Sequence, residues 1–342
     1  MGYVFYHTPA GEGLTWDAAD GSHRDFDCFT TLIRKSMKIL VATEKPFVRQ
    51  AVDGIREIIE KAGCQLALLE KYTDKSQLLE AVADADALIV RSDKVTAEVL
   101  AAAPRLRIVV RAGAGYDNVD LAAATARGVV VMNTPGQNSN AVAELVFGMT
   151  VMAVRNMYDG TSGTELRGKR LGIHAFGQVG RNVARIARGF EMQISALDPY
   201  CPDQAMEDAG VAPCHDIRDL YSQNKFVSLH IPATAETRGS VGYDLITLMP
   251  KGGVLINTAR KEVIDEEGLA KALRERTDLK YVADVKPDNA AQLAEEFPGR
   301  VFFTPKKMGA QTAEANINAG LAAARQIADF FATGSQRFRV NK

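Results

Sequence analysis

One stretch of the sequence, Leu171–Asp198, constrains the possible folds more than any other. It consists of a short apolar strand, a turn with Gly177 and Gly180, a helical pattern, and a second strand ending at Asp198. This order is typical of a dinucleotide-binding βαβ unit, in which amides at the helix N-terminus hold a pyrophosphate. The first glycine of the usual G-x-G-x-x-G pattern is replaced by Ala175, which fits if the turn keeps a negative φ there. The alternative is an ordinary strand, turn and helix.

Three residues of this stretch have predicted roles in binding NAD. Gly177 lets the backbone approach the pyrophosphate, and Gly180 lets the helix pack on the strand. Asp198 lies 18 residues after Gly180, where it is placed to accept hydrogen bonds from a ribose diol. Its charge should repel the 2′-phosphate of NADP.

Strand and helix patterns alternate from Met37 onward, which predicts an α/β fold with parallel sheets covered on both faces. Strands are predicted at 38–42, 64–69, 87–90, 106–110, 129–132 and 171–175, and helices at 48–61, 97–103, 121–127, 139–156 and 313–331. A polar, glycine-rich break after residue 156 separates a second βαβ set. We expect the last helix to pack back on the first domain, which would make that domain discontinuous.

The composition is that of a soluble globular protein. Hydrophobic residues make up 46% of the chain, charged residues 24%, and the net charge is -1. This balance implies no nucleic-acid or anionic-lipid face, and no apolar run approaches the roughly 20 residues of a membrane span. The cysteines have no short metal-ligand spacing, so no metal is predicted, and a reducing, cytoplasmic setting fits best. Residues 1–36 are predicted to be a disordered extension.

Polar residues follow most of the predicted strands, where ligands of parallel sheets bind. They are Arg91 with Ser92, Arg111 with the loop Gly113-Ala114-Gly115, His230 with Pro232, Thr258-Ala259-Arg260, Asp284, and Lys306 with Lys307. Arg260 is the best catalytic candidate, because a guanidinium can bind a 2-oxo carboxylate bidentately and polarise the adjacent carbonyl. The loop 113–115 offers amides to the same carboxylate, and Arg91 could bind a phosphate. The alternatives are a surface salt bridge for Arg260 and a simple tight turn for the loop.

Several segments together resemble a known family. They are VVRAGAGYDNVDLAAATARGVVVMNTPGQNSNAVAEL, SLHIPATAETRG, GGVLINTARKEVID and TPKKMGAQTAEAN. With the glycine turn, they are similar to the phosphoglycerate-dehydrogenase branch of the D-isomer-specific 2-hydroxyacid dehydrogenases, almost continuously over residues 37–342. The resemblance implies two doubly wound parallel-sheet domains: a discontinuous substrate domain (37–134 and 312–342) and an inserted Rossmann NAD domain (135–311).

The resemblance also implies NAD-dependent oxidation of 3-phosphoglycerate, the first step of serine synthesis, by a homodimer of the short subclass without regulatory domains. By position, Arg91 and Arg111 resemble substrate-binding arginines and Ala114-Gly115 the carboxylate loop. The implied NAD contacts are Gln178, Val179, Asp198, His230, Pro232, Thr258, Ala259, Arg260 and Asp284.

Two departures from the family concern proton transfer. The family's His after Thr-Pro is replaced by Lys306 and Lys307, and its partner Glu falls at Asn289, or at Asp288 if the correspondence shifts by one residue. The ordinary pKa of lysine, about 10.4, is already high for a base, and an acidic neighbour would raise it further. Loss of the Glu together with the His therefore favours a lysine as the proton acceptor, with either Lys306 or Lys307 in the role.

Other interpretations stay open. The two losses could mark a damaged enzyme. The chain could instead be another family member, such as a hydroxypyruvate or glyoxylate reductase. It could also be a non-catalytic module that binds NAD(H) as a signal and acts through partners.

Overall fold

The computed structural model describes residues 37–341, which belong to two compact units. The first unit extends to Pro135 and resumes at Asn316, and the second is Gly136–Ala315. The extension predicted for residues 1–36 lies outside the described residues.

The elements alternate along the described chain. The strands are Lys38–Thr43 (β1), Gln65–Glu70 (β2), Ala87–Val90 (β3), Ile108–Arg111 (β4), Val130–Asn133 (β5), Arg170–His174 (β6), Gln193–Leu197 (β7), Ala212–Pro213 (β8), Phe226–Leu229 (β9), Val254–Asn257 (β10), Lys280–Ala283 (β11) and Val301–Phe303 (β12). The α-helices are Arg49–Lys61 (α1), Lys75–Val82 (α2), Ala97–Ala101 (α3), Leu121–Ala126 (α4), Ser139–Val154 (α5), Gln178–Gly189 (α6), Asp203–Glu207 (α7), Ile217–Gln223 (α8), Tyr243–Ile246 (α9), Glu266–Glu275 (α10), Ala290–Glu296 (α11) and Ala313–Thr333 (α12). Short 3-10 turns lie at Asn156–Tyr158 and Lys261–Val263.

The first unit is built on a parallel sheet with the strand order β2-β1-β3-β4-β5. Helices α1 and α12 contribute to the same apolar core: Ile55 and Ile59 of α1 and Ala323 and Ile327 of α12 are buried in one cluster with Val41 of β1. The spacing of these residues places each set on one helix face, so burial of that face holds both helices on the sheet.

The second unit contains a parallel sheet with the order β12-β11-β10-β9-β6-β7-β8. Its central strands β9 and β10 are buried along their whole length, as expected for strands covered on both faces. Helix α5 is apolar nearly all round, and its residues Val146 and Ala153 lie in one buried cluster with Ile173 and Val183.

The predicted class, α/β with parallel sheets, is confirmed. Each strand predicted from residue 38 to residue 175 is present with ends shifted by two residues at most. Helix α2 was not predicted. It begins with a capping box, in which Asp74 accepts from the amide of Ser76 and Gln77 reaches back to the amide of Asp74.

Candidate active site

The polar candidates follow the carboxyl ends of the strands in both sheets. Arg91 follows β3 and Arg111 ends β4 in the first unit; His174 ends β6, and His230, Thr258, Asp284 and Thr304 directly follow β9, β10, β11 and β12 in the second. Because all these strands are parallel, each unit presents its candidates along one edge of its own sheet.

Arg91 is fixed by the turn that follows the neighbouring strand β1. Its Nη1 donates to the carbonyls of Lys45, at 2.8 Å, and Pro46, at 3.1 Å, and its guanidinium lies 5.1 Å from the ring centroid of Phe47. Its Nη2 donates to the side chain of Asn316. Burial lowers the pKa of Arg91, although Asp93 acts in the opposite direction. Arg91 therefore has part of its donors committed to the fold.

Arg111 lies against the backbone of Gly113. Its Nε donates to the carbonyl of Arg91 at 2.9 Å. A Cβ atom on Gly113 would lie 1.5 Å from Arg111 Nη1, and Gly113 has a φ of +150°. Only glycine therefore allows the guanidinium to occupy this position.

The loop Gly113-Ala114-Gly115 is held through its carbonyl groups. Thr134 N donates to Gly113 O at 3.0 Å, and Asn133 Nδ2 donates to Ala114 O at 2.7 Å. Within residues 37–341, no hydrogen bond uses the amides of Gly113, Ala114 or Gly115 as donors. Such a loop can offer its N–H groups to an anion. Ser92, after β3, is exposed.

The glycine turn of the second unit has one glycine that the fold requires and one that it does not. A Cβ on Gly180 would lie 2.4 Å from the carbonyl oxygen of Ala175, so helix α6 can pack here only with glycine. A Cβ on Gly177 would meet no described atom within 4 Å. The first amides of α6, after Gly177, have no acceptor in the described chain, as at any uncapped helix N-terminus. These features fit a bound pyrophosphate.

The expectation for Ala175 is wrong. Its φ is +82°, in the left-handed region, whereas a negative value was the condition for an alanine here. The turn therefore keeps the shape that a glycine would give it, and the alanine Cβ carries a steric cost of about 1–2 kcal/mol.

Asp198 closes this turn from the end of β7. Its Oδ2 accepts from Phe176 N at 2.8 Å, and its Oδ1 accepts from Tyr200 N at 2.9 Å. The carboxylate is thus oriented by two backbone amides. It remains partly exposed, as a group that binds a ribose must be.

Two histidines lie at the ends of the neighbouring strands β6 and β9. Burial lowers the pKa of His174 to about 4 and that of His230 to about 3; Asp198 opposes the shift of His174, and His174 adds to that of His230. Ser228 Oγ lies 2.9 Å from His230 Nε2. In the described chain, the buried Nδ1 of His230 and the buried Oγ1 of Thr258 have no hydrogen-bond partner. Two such atoms at a strand edge fit a polar ligand such as a dinucleotide.

The turn after β10 is shaped by the buried side chain of Asn257. Its Oδ1 accepts from Ala259 N and its Nδ2 donates to Arg260 O, both at 2.9 Å. Arg260 is partly exposed, and its Nη1 donates to the carbonyl of Ala259 at 3.0 Å. Gln178 and Pro232, two of the expected NAD contacts, are exposed, and Val179 is partly exposed.

Asp284 holds the loop that carries the two lysines. Its Oδ1 accepts from Thr304 Oγ1 at 2.9 Å and from Met308 N at 2.6 Å, and its Oδ2 accepts from Gly309 N at 2.8 Å. The side chain is only 1% exposed. Lys306 and Lys307 lie between these anchor points, and both are exposed. The resemblance implies an NAD contact for Asp284, and no sequence pattern predicts its role as a loop anchor.

Asn289, the residue expected at the position of the family's Glu, is the N-cap of helix α11. Its amide and that of Asp288 donate to the carboxylate of Glu266, at 3.0 and 2.9 Å. Its buried Oδ1 accepts no hydrogen bond within the described residues. The replacement thus removes a charge and leaves an uncommitted acceptor.

Between residues 37 and 341, no cluster of three or more His, Cys, Asp or Glu could hold a metal ion. No helix in the same range is both long enough and apolar enough to cross a membrane.

The fold and the strand-end sites define an α/β protein with a nucleotide-binding βαβ unit, and sequence comparison identifies its family. The model of the "D-isomer specific 2-hydroxyacid dehydrogenase, catalytic domain" matches residues 47–341. The chain belongs to this family. A D-3-phosphoglycerate dehydrogenase of Methanocaldococcus jannaschii is 39% identical over 272 residues, which cover 74% of this chain and 51% of that protein. A hydroxypyruvate reductase of Thermotoga maritima is 33% identical over 283 residues, which cover 77% and 90%.

A solved structure shows a higher identity. The crystal structure of NAD+-bound 3-phosphoglycerate dehydrogenase from Entamoeba histolytica is 50% identical, with a TM-score of 0.81, and the match covers 90% of this chain and 99% of that one. The chain spans about half the length of the curated D-3-phosphoglycerate dehydrogenases it matches first.

Proposed function

We propose that this protein is an NAD-dependent dehydrogenase that oxidises 3-phosphoglycerate to 3-phosphohydroxypyruvate. The substrate class rests on one observation in the first unit. Arg111 contacts the carbonyl of Arg91, and the amides of the loop 113–115 that follows it donate no hydrogen bond within the described chain. Two guanidinium groups suit a phosphate, and free amides suit a carboxylate. The Entamoeba histolytica structure, named for this activity, supports the same assignment.

We assign a substrate domain to residues 37–134 and 312–342, which largely coincides with the first unit, and an NAD domain to residues 135–311, which largely coincides with the second. The pyrophosphate would be held by the turn residues Gly177, Gln178, Val179 and Gly180, and the ribose by Asp198. The rest of the cofactor site would be lined by Pro232, Ala259 and the buried polar atoms of His230 and Thr258 that have no partner in the described chain. NAD, when bound, supplies the hydride acceptor. We further propose that this reaction is the first step of serine synthesis and that the protein is a cytoplasmic homodimer.

The proposed chemistry needs one group that accepts the hydroxyl proton and one group that binds the substrate carboxylate. The hydroxyl proton of the substrate passes to the amine of Lys306 or Lys307 as the hydride leaves C2. Arg260 binds the carboxylate and polarises the carbonyl that forms. Asp284 fixes the backbone on both sides of the lysine pair, so the amine is presented by a rigid loop although it is exposed.

A simple assay tests this function. NADH formation from 3-phosphoglycerate is followed by absorbance, and hydroxypyruvate and glyoxylate are tested in the reverse direction. Oxidation of 3-phosphoglycerate supports the proposal. Reduction of hydroxypyruvate alone would favour the second candidate, which rests on the Thermotoga maritima relative. NADH binding without turnover of any of these would favour a sensing module.

A substitution separates the two enzymatic candidates. Arg91→Ala should raise the KM for 3-phosphoglycerate at least tenfold more than that for hydroxypyruvate, because only the former has a phosphate. Arg127→Ala, at an exposed position of the same unit, is the control. An equal effect on both substrates would mean that Arg91 serves only to hold the turn at Lys45 and Pro46.

A further inference from the structure

Asp93 is a buried carboxylate to which the proposed chemistry gives no role. It is 4% exposed and lies in the loop after β3. Its Oδ1 accepts from Glu44 N at 2.7 Å and from Tyr72 Oη at 2.9 Å, and its Oδ2 accepts from Arg91 N at 3.3 Å. A buried charge is tolerated only with such partners. The three donors come from three different loops, which follow β1, β2 and β3.

Each of these loops carries a basic residue next to its contact with Asp93. Lys45 follows Glu44, Lys71 precedes Tyr72, and Arg91 itself donates to Asp93. Strands β2, β1 and β3 are parallel neighbours in the sheet, so their loops lie along one edge. With about 4.8 Å between adjacent strands, the three loops span about 10 Å. Lys45 and Lys71 are exposed.

The backbone of these loops is constrained further. Lys71 has a φ of +57°, a left-handed conformation that is uncommon for a residue other than glycine. The carbonyl of Lys45 accepts from Arg91 Nη1 at 2.8 Å and from Thr43 Oγ1 at 2.5 Å. Such strain persists where surrounding contacts over-determine the backbone, and the Tyr72 hydroxyl bound to Asp93 is one such contact.

We infer that Asp93 is a positioning residue: by joining three loops, it sets the spacing of Lys45, Lys71 and Arg91, and this cationic row selects a substrate that bears a phosphomonoester. The inference rests on the proposed function and adds Lys45, Lys71 and Asp93 to its phosphate site. The charge of Asp93 alone would weaken the attraction of an anion. A positioning role and a charge effect therefore predict opposite results when the carboxylate is removed.

Three variants of the full chain test the inference. Asp93→Ala removes the acceptor. Asp93→Asn keeps one oxygen for Glu44 N and Tyr72 Oη, and Asp53→Ala removes an exposed carboxylate from α1 as a control. We expect Asp93→Ala to raise the KM for 3-phosphoglycerate at least tenfold with kcat changed less than threefold. Asp93→Asn and Asp53→Ala should stay within threefold of wild type in both constants. An unchanged or lower KM in Asp93→Ala would overturn the inference. So would a rise in KM in Asp93→Asn that equals the rise in Asp93→Ala.

A binding measurement separates this test from the proposed function. Inorganic phosphate should raise the Tm of wild type, Asp93→Asn and Asp53→Ala above that in chloride of equal ionic strength, and it should not raise that of Asp93→Ala. Absence of 3-phosphoglycerate oxidation by wild type would reject the function, whereas an equal phosphate shift in wild type and Asp93→Ala would reject the inference. If Asp93→Ala does not fold, Tyr72→Phe decides: the inference requires a KM for 3-phosphoglycerate at least threefold higher and is wrong if it is unchanged.

Discussion

The carboxylate of Asp284 accepts a hydrogen bond of 2.8 Å from the backbone amide of Gly309, which lies 25 positions later in the sequence. Because the other oxygen of Asp284 accepts from Thr304 and Met308, one buried side chain fixes both ends of the segment that contains Lys306 and Lys307. An exposed lysine has many rotamers, and a fixed backbone limits where its amine can reach. In the proposed chemistry, the geometry for proton transfer therefore depends on Asp284, a residue that does not itself transfer the proton.

Replacing Asp284 by Asn should therefore reduce catalysis. The amide keeps one acceptor oxygen but turns its NH2 group toward a backbone N–H, so one loop anchor is lost. We expect kcat to fall at least tenfold, with the NADH Kd within threefold of wild type. Steady-state kinetics and fluorescence titration with NADH measure the two quantities, and Asp219→Asn, at an exposed position, is the control. A large rise in Kd with kcat preserved would show that Asp284 acts as an NAD contact instead.

The two glycines of the βαβ turn should respond to alanine in different ways. Gly177→Ala places a methyl group where no described atom lies within 4 Å, so the fold should lose about 1 kcal/mol or less, but a pyrophosphate could no longer approach. We expect the NADH Kd to rise at least tenfold. Gly180→Ala drives a methyl group against the carbonyl of Ala175 and should cost about 1–3 kcal/mol.

Urea unfolding and NADH titration of both variants test this difference. Gly189→Ala, at the open end of the same helix, is the matched control: it should leave the NADH Kd unchanged and, as a glycine-to-alanine change within a helix, should not lower the free energy of unfolding. Unaltered NADH affinity in Gly177→Ala would contradict the placement of the cofactor at this turn.

Ala175→Gly should stabilise the protein. At a φ of +82° the alanine Cβ costs about 1–2 kcal/mol, and the extra backbone entropy of glycine offsets about 0.5–1 kcal/mol of the gain. We expect the free energy of unfolding to rise by about 1 kcal/mol or somewhat less, and thermal unfolding should show a Tm increase of about 2 °C. Ala291→Gly, at an exposed position of helix α11, should have the opposite sign. Destabilisation by Ala175→Gly would mean that the left-handed turn is not strained.

Because burial lowers the pKa of two histidines, we expect the protein to lose stability in mild acid. Their pKa values in the folded protein are about 4 for His174 and about 3 for His230, below the ordinary value of 6.5. The unfolded chain therefore binds more protons below pH 6.5, and stability falls as the pH drops from there toward 4. Each histidine contributes about 1.4 kcal/mol per pH unit in this window.

Urea unfolding at pH 7.5, 6.0 and 5.0 measures this slope. His174→Asn should flatten it by about half. His215→Asn, at a side chain that is 75% exposed, is the control variant. Equal slopes in wild type and His174→Asn would exclude His174 as a source of the acid sensitivity.

Much of the fold could be predicted from the sequence, because it depends on local patterns. Buried strands such as β3 and β10 are continuous apolar runs, and parallel strands place their ends at one edge. The candidate residues at those ends were found for this reason. Helix α2 was missed because it is short and only weakly amphipathic, although its capping box around Asp74 and Gln77 is a readable signal.

The contacts that organise the strand edges could not be predicted in this way. Asp284 reaches Met308 across 24 positions, and Asp93 reaches Glu44 across 49, so no local spacing indicates either pair. A buried acidic residue after an apolar strand does indicate that hydrogen-bond donors must surround it, but it does not identify which residues supply them. Likewise, nothing in the sequence around Ala175 shows that the turn keeps a left-handed φ without glycine.

The most direct test of the account is the double variant Lys306→Ala/Lys307→Ala. A positioned general base contributes about a hundredfold or more to a rate, so kcat for 3-phosphoglycerate oxidation should fall at least that far. The NADH Kd should stay within threefold of wild type, and Lys251→Ala, an exposed lysine of the same unit, should behave as wild type. Turnover within a few fold of wild type in the double variant would contradict the claim that a lysine of this loop accepts the proton.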